Sequence, residues 1–251
     1  MPLRSIRLSG LLLLVATLFA PGPAPAAETP IKTIGIISAV GDTLEVSDMG
    51  LTVFTDAHRS MDVSDWKLGH DIAGAFQDVL SRRYDARVVA EDAPMAEMEK
   101  PPSELAAAVR ALLKPGETYD AYLLIVPATR PDTMGWTKQN LSGIGLYRRH
   151  KMIDSEPFIF TSCNVSLIDG RSLQILQDTW MDLPRDEGLA GVFTAVSKMG
   201  DYDFFAGVAE QAWPDPDQPF RPEQKMSVEA SFQYLLKREA PFTLHKLGLA
   251  D

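Results

Sequence analysis

The chain has 251 residues, 45% of them hydrophobic and 23% charged, and its 34 acids outnumber 24 Lys and Arg to give a formal net charge of −10. That length and apolar content suit a chain that buries one sizeable core, not a disordered or fibrous one. The acidic balance disfavours nucleic acid and anionic membrane as partners, and the single cysteine, Cys163, excludes an internal disulfide.

At the N-terminus, Arg4 and Arg7 precede an apolar run at 11–20, and Ala24-Pro25-Ala26 follows as a small-residue cleavage site. This is the order of a secretory signal peptide over 1–26, cut between Ala26 and Ala27. A membrane anchor needs about 20 apolar residues, and Pro21, Pro23 and Pro25 interrupt this stretch. Cleavage removes two arginines and no acid, which moves the charge from −10 to −12. No cysteine stands at the new N-terminus to carry a lipid. The expectation is an exported chain, periplasmic or secreted, with no membrane span after signal cleavage and a single α/β domain over 27–251.

Residues 31–40, IKTIGIISAV, read as a buried strand stopped by Gly41-Asp42, and Leu51-Thr-Val-Phe54 as its antiparallel neighbour. Ile72, Phe76, Val79 and Leu80 then fall at helical spacing, with Arg82 and Arg83 where cations suit a helix C-terminus. Arg87-Val-Val-Ala90 predicts a strand. Ser103 offers an N-cap for a helix carrying Leu105, Val109, Leu112 and Leu113, which Pro115-Gly116 ends. Residues 121–126, AYLLIV, are apolar at every position, so they predict a strand buried on both faces at the centre of a sheet. Pro127 suits its end.

The C-terminal half reads as an antiparallel meander and hairpin. A Gly-containing strand at 141–147 precedes two apolar runs at 157–181 joined by Asp169-Gly170, a strong hairpin signal. A three-residue loop would set Leu167 opposite Leu173 and Val165 opposite Ile175, with Phe160 opposite Trp180 on the other face. A two-residue loop would pair Val165 with Gln174, and cross-strand apolar pairing favours the first register. Val228, Phe232, Leu235 and Leu236 mark a last helix. Residues 186–222 read as an irregular insertion or lid, with a helix face at Leu189, Val192, Phe193 and Val196. No period of 20 to 50 residues recurs. The fold class is therefore α/β, a mixed sheet with helices packed on it.

IGIISAVGDTL, GLTVF and VSLIDGRSLQIL, in this alternation of strands and helices, resemble exported proteobacterial proteins of uncharacterised function. The layout is similar to the α/β domains of the TolB N-terminal region and of CsgG-type periplasmic accessory proteins, without the lipid-bearing cysteine common in the second group. The resemblance implies a binding or assembly role towards a protein or cell-envelope component. It transfers no site residue.

Gly41-Asp42-Thr43-Leu44 resembles the first block of the GDS-type esterases, but threonine replaces the serine, and Phe242 stands three residues before His245 where that family needs an acid. The triad logic fails, and no catalytic residue is assigned. Asp56-Ala57-His58 and Gly69-His70-Asp71 resemble fragments of metal-dependent phosphoesterases, which makes Asp42, Asp56, His58 and His70 the candidate ligands of an alternative, an exported metal-dependent hydrolase. The order of the fragments is reversed relative to that family, and His70-Asp71 also suits a helix N-terminus. Asp201, Asp203, Asp215 and Asp217 are broken by prolines and lack the glycine of a calcium loop. Gly143-x-Gly145 lacks the third glycine of a dinucleotide turn. Cys163 lies inside a strand without basic neighbours and reads as structural. Arg148-Arg149-His150-Lys151 is a dense basic run in an acidic chain. It reads as a solvated loop at the sheet's end or as a contact for an acidic partner through Arg148, Arg149 and Lys151. The motifs call for no cofactor, and they favour a non-catalytic binding or envelope-assembly module over the hydrolase.

Overall fold

The computed structural model describes residues 30–50, 56–131, 140–150, 157–184, 205–215 and 218–251. The signal-peptide reading at 1–26, the strand at 51–54, the helix face at Leu189 to Val196 and the partner residue Lys151 lie outside these residues. In chain order the elements are β1 (Thr33–Ser38), β2 (Thr43–Met49), β3 (Ala57–Asp62), α1 (Leu68–Leu80), β4 (Asp85–Ala90), α2 (Met95–Met98) and α3 (Pro102–Leu112). They continue as β5 (Ala121–Pro127), β6 (Thr129–Pro131), β7 (Asn140–Arg149), β8 (Pro157–Asp169), β9 (Ile175–Trp180), β10 (Phe205–Gly207) and α4 (Pro222–Lys246). The ten strands make one mixed sheet whose hydrogen-bonded path is β3-β2-β7-β8-β5-β1-β4, with β9 and β10 on β8 and β6 on β7. The fold is α/β.

The long β8 joins two halves of this sheet. Ser162 and Cys163 are neighbours, so their carbonyls point to opposite edges of β8. Ser162 accepts from the N–H of Ala128 at 2.8 Å and Cys163 from that of Met181 at 3.0 Å, which puts β5 on one edge and β9 on the other. Pro127 lies opposite Cys163 and Gly143 opposite Ser162, so β7 takes over along the edge that β5 leaves. In the same way β2 succeeds β1, and the chain bends between them at Gly41, whose φ of +72° is costly for any side chain but glycine's. One half is therefore β4-β1-β5-β8-β9, and the other is β3-β2-β7-β8-β10. The sequence placed a stop at Gly41-Asp42, where the structure has this bend and a further strand.

The first half is apolar on both faces. Ile34, Ile36, Leu123, Ile125, Val165 and Leu167 pack on one side against Ile72 and Phe76 of α1 and Phe232, Leu236 and Leu244 of α4. Ile37, Tyr122, Leu124 and Ile168 pack on the other against Leu105 and Val109 of α3. Each such side chain contributes roughly 1.5–3 kcal/mol on burial, which is why 121–126 carries no polar residue. Helix α3 begins at Pro102 after Pro101, not at a Ser103 cap; proline suits the first helical position because its missing N–H would have no partner there.

The hairpin register differs from both expected loops. Ile168 faces Ile175, Leu167 faces Gln177, Val165 faces Thr179 and Asn164 faces Trp180. The cause is local. Oδ1 of Asp169 accepts from the N–H groups of Arg171 and Ser172 at 3.1 and 2.6 Å, and Leu173 takes φ +55° and is buried with α3. The loop is thereby widened, and a bulge between Leu167 and Ile168 shifts the rest. Phe160 pairs with Gly145 and Phe205 instead of Trp180. A Cβ on Gly145 would stand 2.4 Å from the Phe160 ring, so Gly145 makes room for Phe160 in an aromatic cluster with Tyr147, Phe158 and Phe205. Within the expected insertion at 186–222, β10 is a strand of the sheet and pairs with β8.

Candidate functional site

In the second half, β2, β3 and β7 form one wall of an open cleft of about 630 Å³, and residues 210–215 with Arg221 form the other. Alternation in β2 sends Val46 and Asp48 into it, and their partners Arg59 and Ala57 on β3 line the same face. Arg148 reaches it from the end of β7. Its guanidinium grips Asp48 with both arms, Nε to Oδ1 at 3.1 Å and Nη2 to Oδ2 at 2.5 Å, and Nη1 lies 3.3 Å from Glu210 Oε1. This two-pronged geometry gives direction as well as charge. The guanidinium carbon also lies 4.3 Å from the centre of the Trp213 ring, within cation–π range. His150 Nε2 approaches Asp48 at 2.9 Å. Arg59 Nη2 donates to the carbonyls of Pro214 and Asp215 at 3.1 Å, and the Gln224 amide donates to the Trp213 carbonyl at 2.7 Å. The wall at 210–215 is thus tied to β3, to β7 and to the first turn of α4.

The expected basic loop is corrected here. Arg148 and Arg149 close β7 instead of forming a loop, and Arg148 is mostly buried against its acids and Trp213. The four candidate metal ligands are not brought together. Asp42 sits in the bend after β1, where burial and then Asp92 and Asp62 raise its carboxyl pKa. Asp56 accepts from the Gly50 N–H at 3.1 Å, His58 Nδ1 lies 3.1 Å from the Ser47 hydroxyl, and His70 on α1 lies 2.9 Å from Glu91. Among the described residues no group of three His, Cys, Asp or Glu could hold a metal ion. A second groove of about 490 Å³ opens on the opposite face of β2, lined by Thr43, Glu45, Ser47, His58 and Phe160.

Sequence reasoning missed a buried ionic network where the two halves meet. Arg130 on β6 pairs with Asp182 at 2.5 Å and donates to the carbonyls of Thr161 and Met181 at 3.0 and 2.9 Å, and Lys246 reaches Asp182 at 2.7 Å. Glu239 on α4 is fully buried and accepts from the Thr161 hydroxyl, and its other oxygen has no hydrogen-bond partner. Burial pushes its carboxyl up to about 8. The signal was present: Glu239 lies four residues after Leu235 and one before Ala240, on the helix's core stripe. Cys163 is buried close by, and burial raises its thiol well above the ordinary range, in keeping with a structural role.

No family model matches the chain, and no curated protein matches it. Among solved structures the chain is similar to a Xanthomonas campestris protein assigned to the family model DUF330, at 10% identity and a TM-score of 0.39 over 91% of this chain and 90% of that one. This comparison connects the chain with neither TolB nor CsgG.

Proposed function

We propose that the protein is an exported, non-catalytic binding or envelope-assembly module, periplasmic or secreted, that engages a protein or cell-envelope component through the cleft beside Arg148 and Trp213. The observation that carries this reading is the state of the cleft's charges. Asp48, Glu210 and Trp213 hold Arg148, and backbone carbonyls take up Arg59, so the walls carry both signs and these charges are paired within the chain. Such a surface suits recognition of a polypeptide, whose charged and polar groups it can pair. The basic run enters the reading through Arg148, which shapes the cleft; Arg149 and Lys151 belong to it as neighbours in sequence. Export rests on Arg4, Arg7, the apolar run at 11–20 and Ala24-Pro25-Ala26. Among the described residues no helix is long and apolar enough to cross a membrane.

Two measurements test the reading. Intact mass of the exported protein is expected to show a chain starting at Ala27, and a full-length or lipidated species contradicts export with cleavage. Crosslinked pull-down from the cell envelope is expected to capture a defined component that is lost with Ala57→Arg, which fills the cleft from an exposed β3 position, and kept with Arg87→Ala on β4. Equal capture by wild type and Ala57→Arg contradicts the assignment of the cleft.

A further inference from the structure

Strand β3 is the outermost of its half of the sheet and, among the described residues, pairs only with β2. The Val63 N–H donates to the Asp42 carbonyl at 2.8 Å, which sets the direction of each backbone group along β3. By alternation, the N–H and C=O groups of His58, Ser60 and Asp62 point away from β2. All three residues are exposed. A row of this kind is a template for another strand.

The side chains of β3 select which strand. If a second β3 runs antiparallel about a twofold axis through Ser60, then Ser60 faces its own copy, and His58 of each chain faces Asp62 of the other. A nitrogen donor meets a carboxylate at both ends of the contact, a favourable cross-strand pair. Arg59 then faces Met61, so no like charges are opposed. Sliding the axis to Asp62 sets two carboxylates against each other, and sliding it to His58 forfeits both His–Asp pairs. Of the registers centred on His58, Ser60 and Asp62, only the one on Ser60 makes both His–Asp pairs and opposes no like charges.

We propose that β3 pairs with β3 of a second copy of this chain in that register, extending the sheet across two molecules. A six-residue edge is a small contact beside the roughly 1,200–2,000 Å² of a stable interface, so the dimer is concentration-dependent.

Disulfide trapping tests this. Facing residues in a hydrogen-bonded antiparallel pair have Cα atoms about 5.5 Å apart, inside the disulfide range of about 4.4–6.8 Å. Cys163 is fully buried, so a thiol introduced at position 60 is the accessible one. Under mild oxidation Ser60→Cys is expected to form a covalent dimer roughly tenfold or more faster than Met226→Cys, because pairing raises the local thiol concentration; Met226 is 69% exposed on α4. Adding Asp62→Lys is expected to remove that advantage, and adding His58→Asp as well to restore it, since the reversed pair attracts again. The restored rate also shows that the intermediate variant did not merely misfold. Equal rates for Ser60→Cys and Met226→Cys overturn the proposal, and so does a Ser60→Cys rate unaffected by Asp62→Lys.

Discussion

The two halves of the sheet share β8 and an apolar core, and they differ in what they hold at the surface. In the β4-β1-β5-β8-β9 half, successive side chains of β1 and β5 enter one apolar layer or the other, so hardly a position tolerates a polar atom. In the β3-β2-β7-β8-β10 half, the edge strand carries His58, Arg59 and Asp62, and the neighbouring strands supply Asp48 and Arg148. Both halves build the core, the second through Leu44, Ile144 and Leu146 and its aromatic cluster, but the second also keeps charge at a surface and holds it in place. Where the halves meet, Arg130, Asp182 and Glu239 are charged or chargeable groups taken almost out of water. The contrast predicts that substitutions of similar chemistry differ in cost by position.

The largest effect should come from the apolar half. Ile125 is fully buried between two strands, and Ile125→Asp would leave an unpaired charge there, at a cost comparable to a whole domain's stability of about 5–15 kcal/mol. The variant is expected to be insoluble or to lack a cooperative melt, and a soluble, cooperatively melting Ile125→Asp protein would contradict the two-faced burial of β5.

The next effect lies at the junction and depends on pH. Glu239 has a folded-state pKa near 8 against an ordinary 4.5, so between these values the folded chain holds a proton that the unfolded chain has released. Stability therefore falls as pH rises from about 4.5 to about 8 and is level above. At about 1.4 kcal/mol per pKa unit the span is several kcal/mol. Glu239→Gln keeps an acceptor for Thr161 and cannot ionise. Denaturant melts at pH 5 and pH 8 are expected to differ more for wild type than for Glu239→Gln, with the variant the more stable at pH 8.

A smaller loss belongs to the cleft. Arg148→Ala removes a guanidinium that is 16% exposed and leaves Asp48, 25% exposed, with His150 alone. The expected cost is roughly 1–3 kcal/mol, between an exposed and a buried ion pair. Arg87→Ala on β4 breaks a solvent-exposed pair with Asp85 and should leave the melting temperature unchanged. If both variants melt alike, the cleft's charges are no better held than those of the open surface.

The apolar half was legible in the sequence because burial repeats there with the period of each element. Ile72, Phe76 and Leu80, then Val228, Phe232, Leu235 and Leu236, fall on the core as their spacing requires. The other half was less so. Strand β2 reads TLEVSDM, whose polar residues and preceding Gly41-Asp42 resemble a loop until pairing on both edges is known. The hairpin register escaped because the Asp169 side chain and the left-handed Leu173 set the loop, and cross-strand apolar pairing ranks below them. At the cleft, the basic run pointed to Arg148. Its partners lie 100 residues away at Asp48 and 62 away at Glu210, a separation no local pattern encodes.

The cleft beside Arg148 and Trp213 is the proposed meeting point of this protein and its partner. Site-specific photocrosslinking in cells tests it most directly, with the photoreactive residue at Gln211, exposed on the cleft wall, or at Met226 on the outer face of α4. Gln211 is expected to give a defined adduct with an envelope component that Ala57→Arg abolishes, and Met226 to give no such adduct. An adduct from Met226 alone, or one from Gln211 that survives Ala57→Arg, would contradict it.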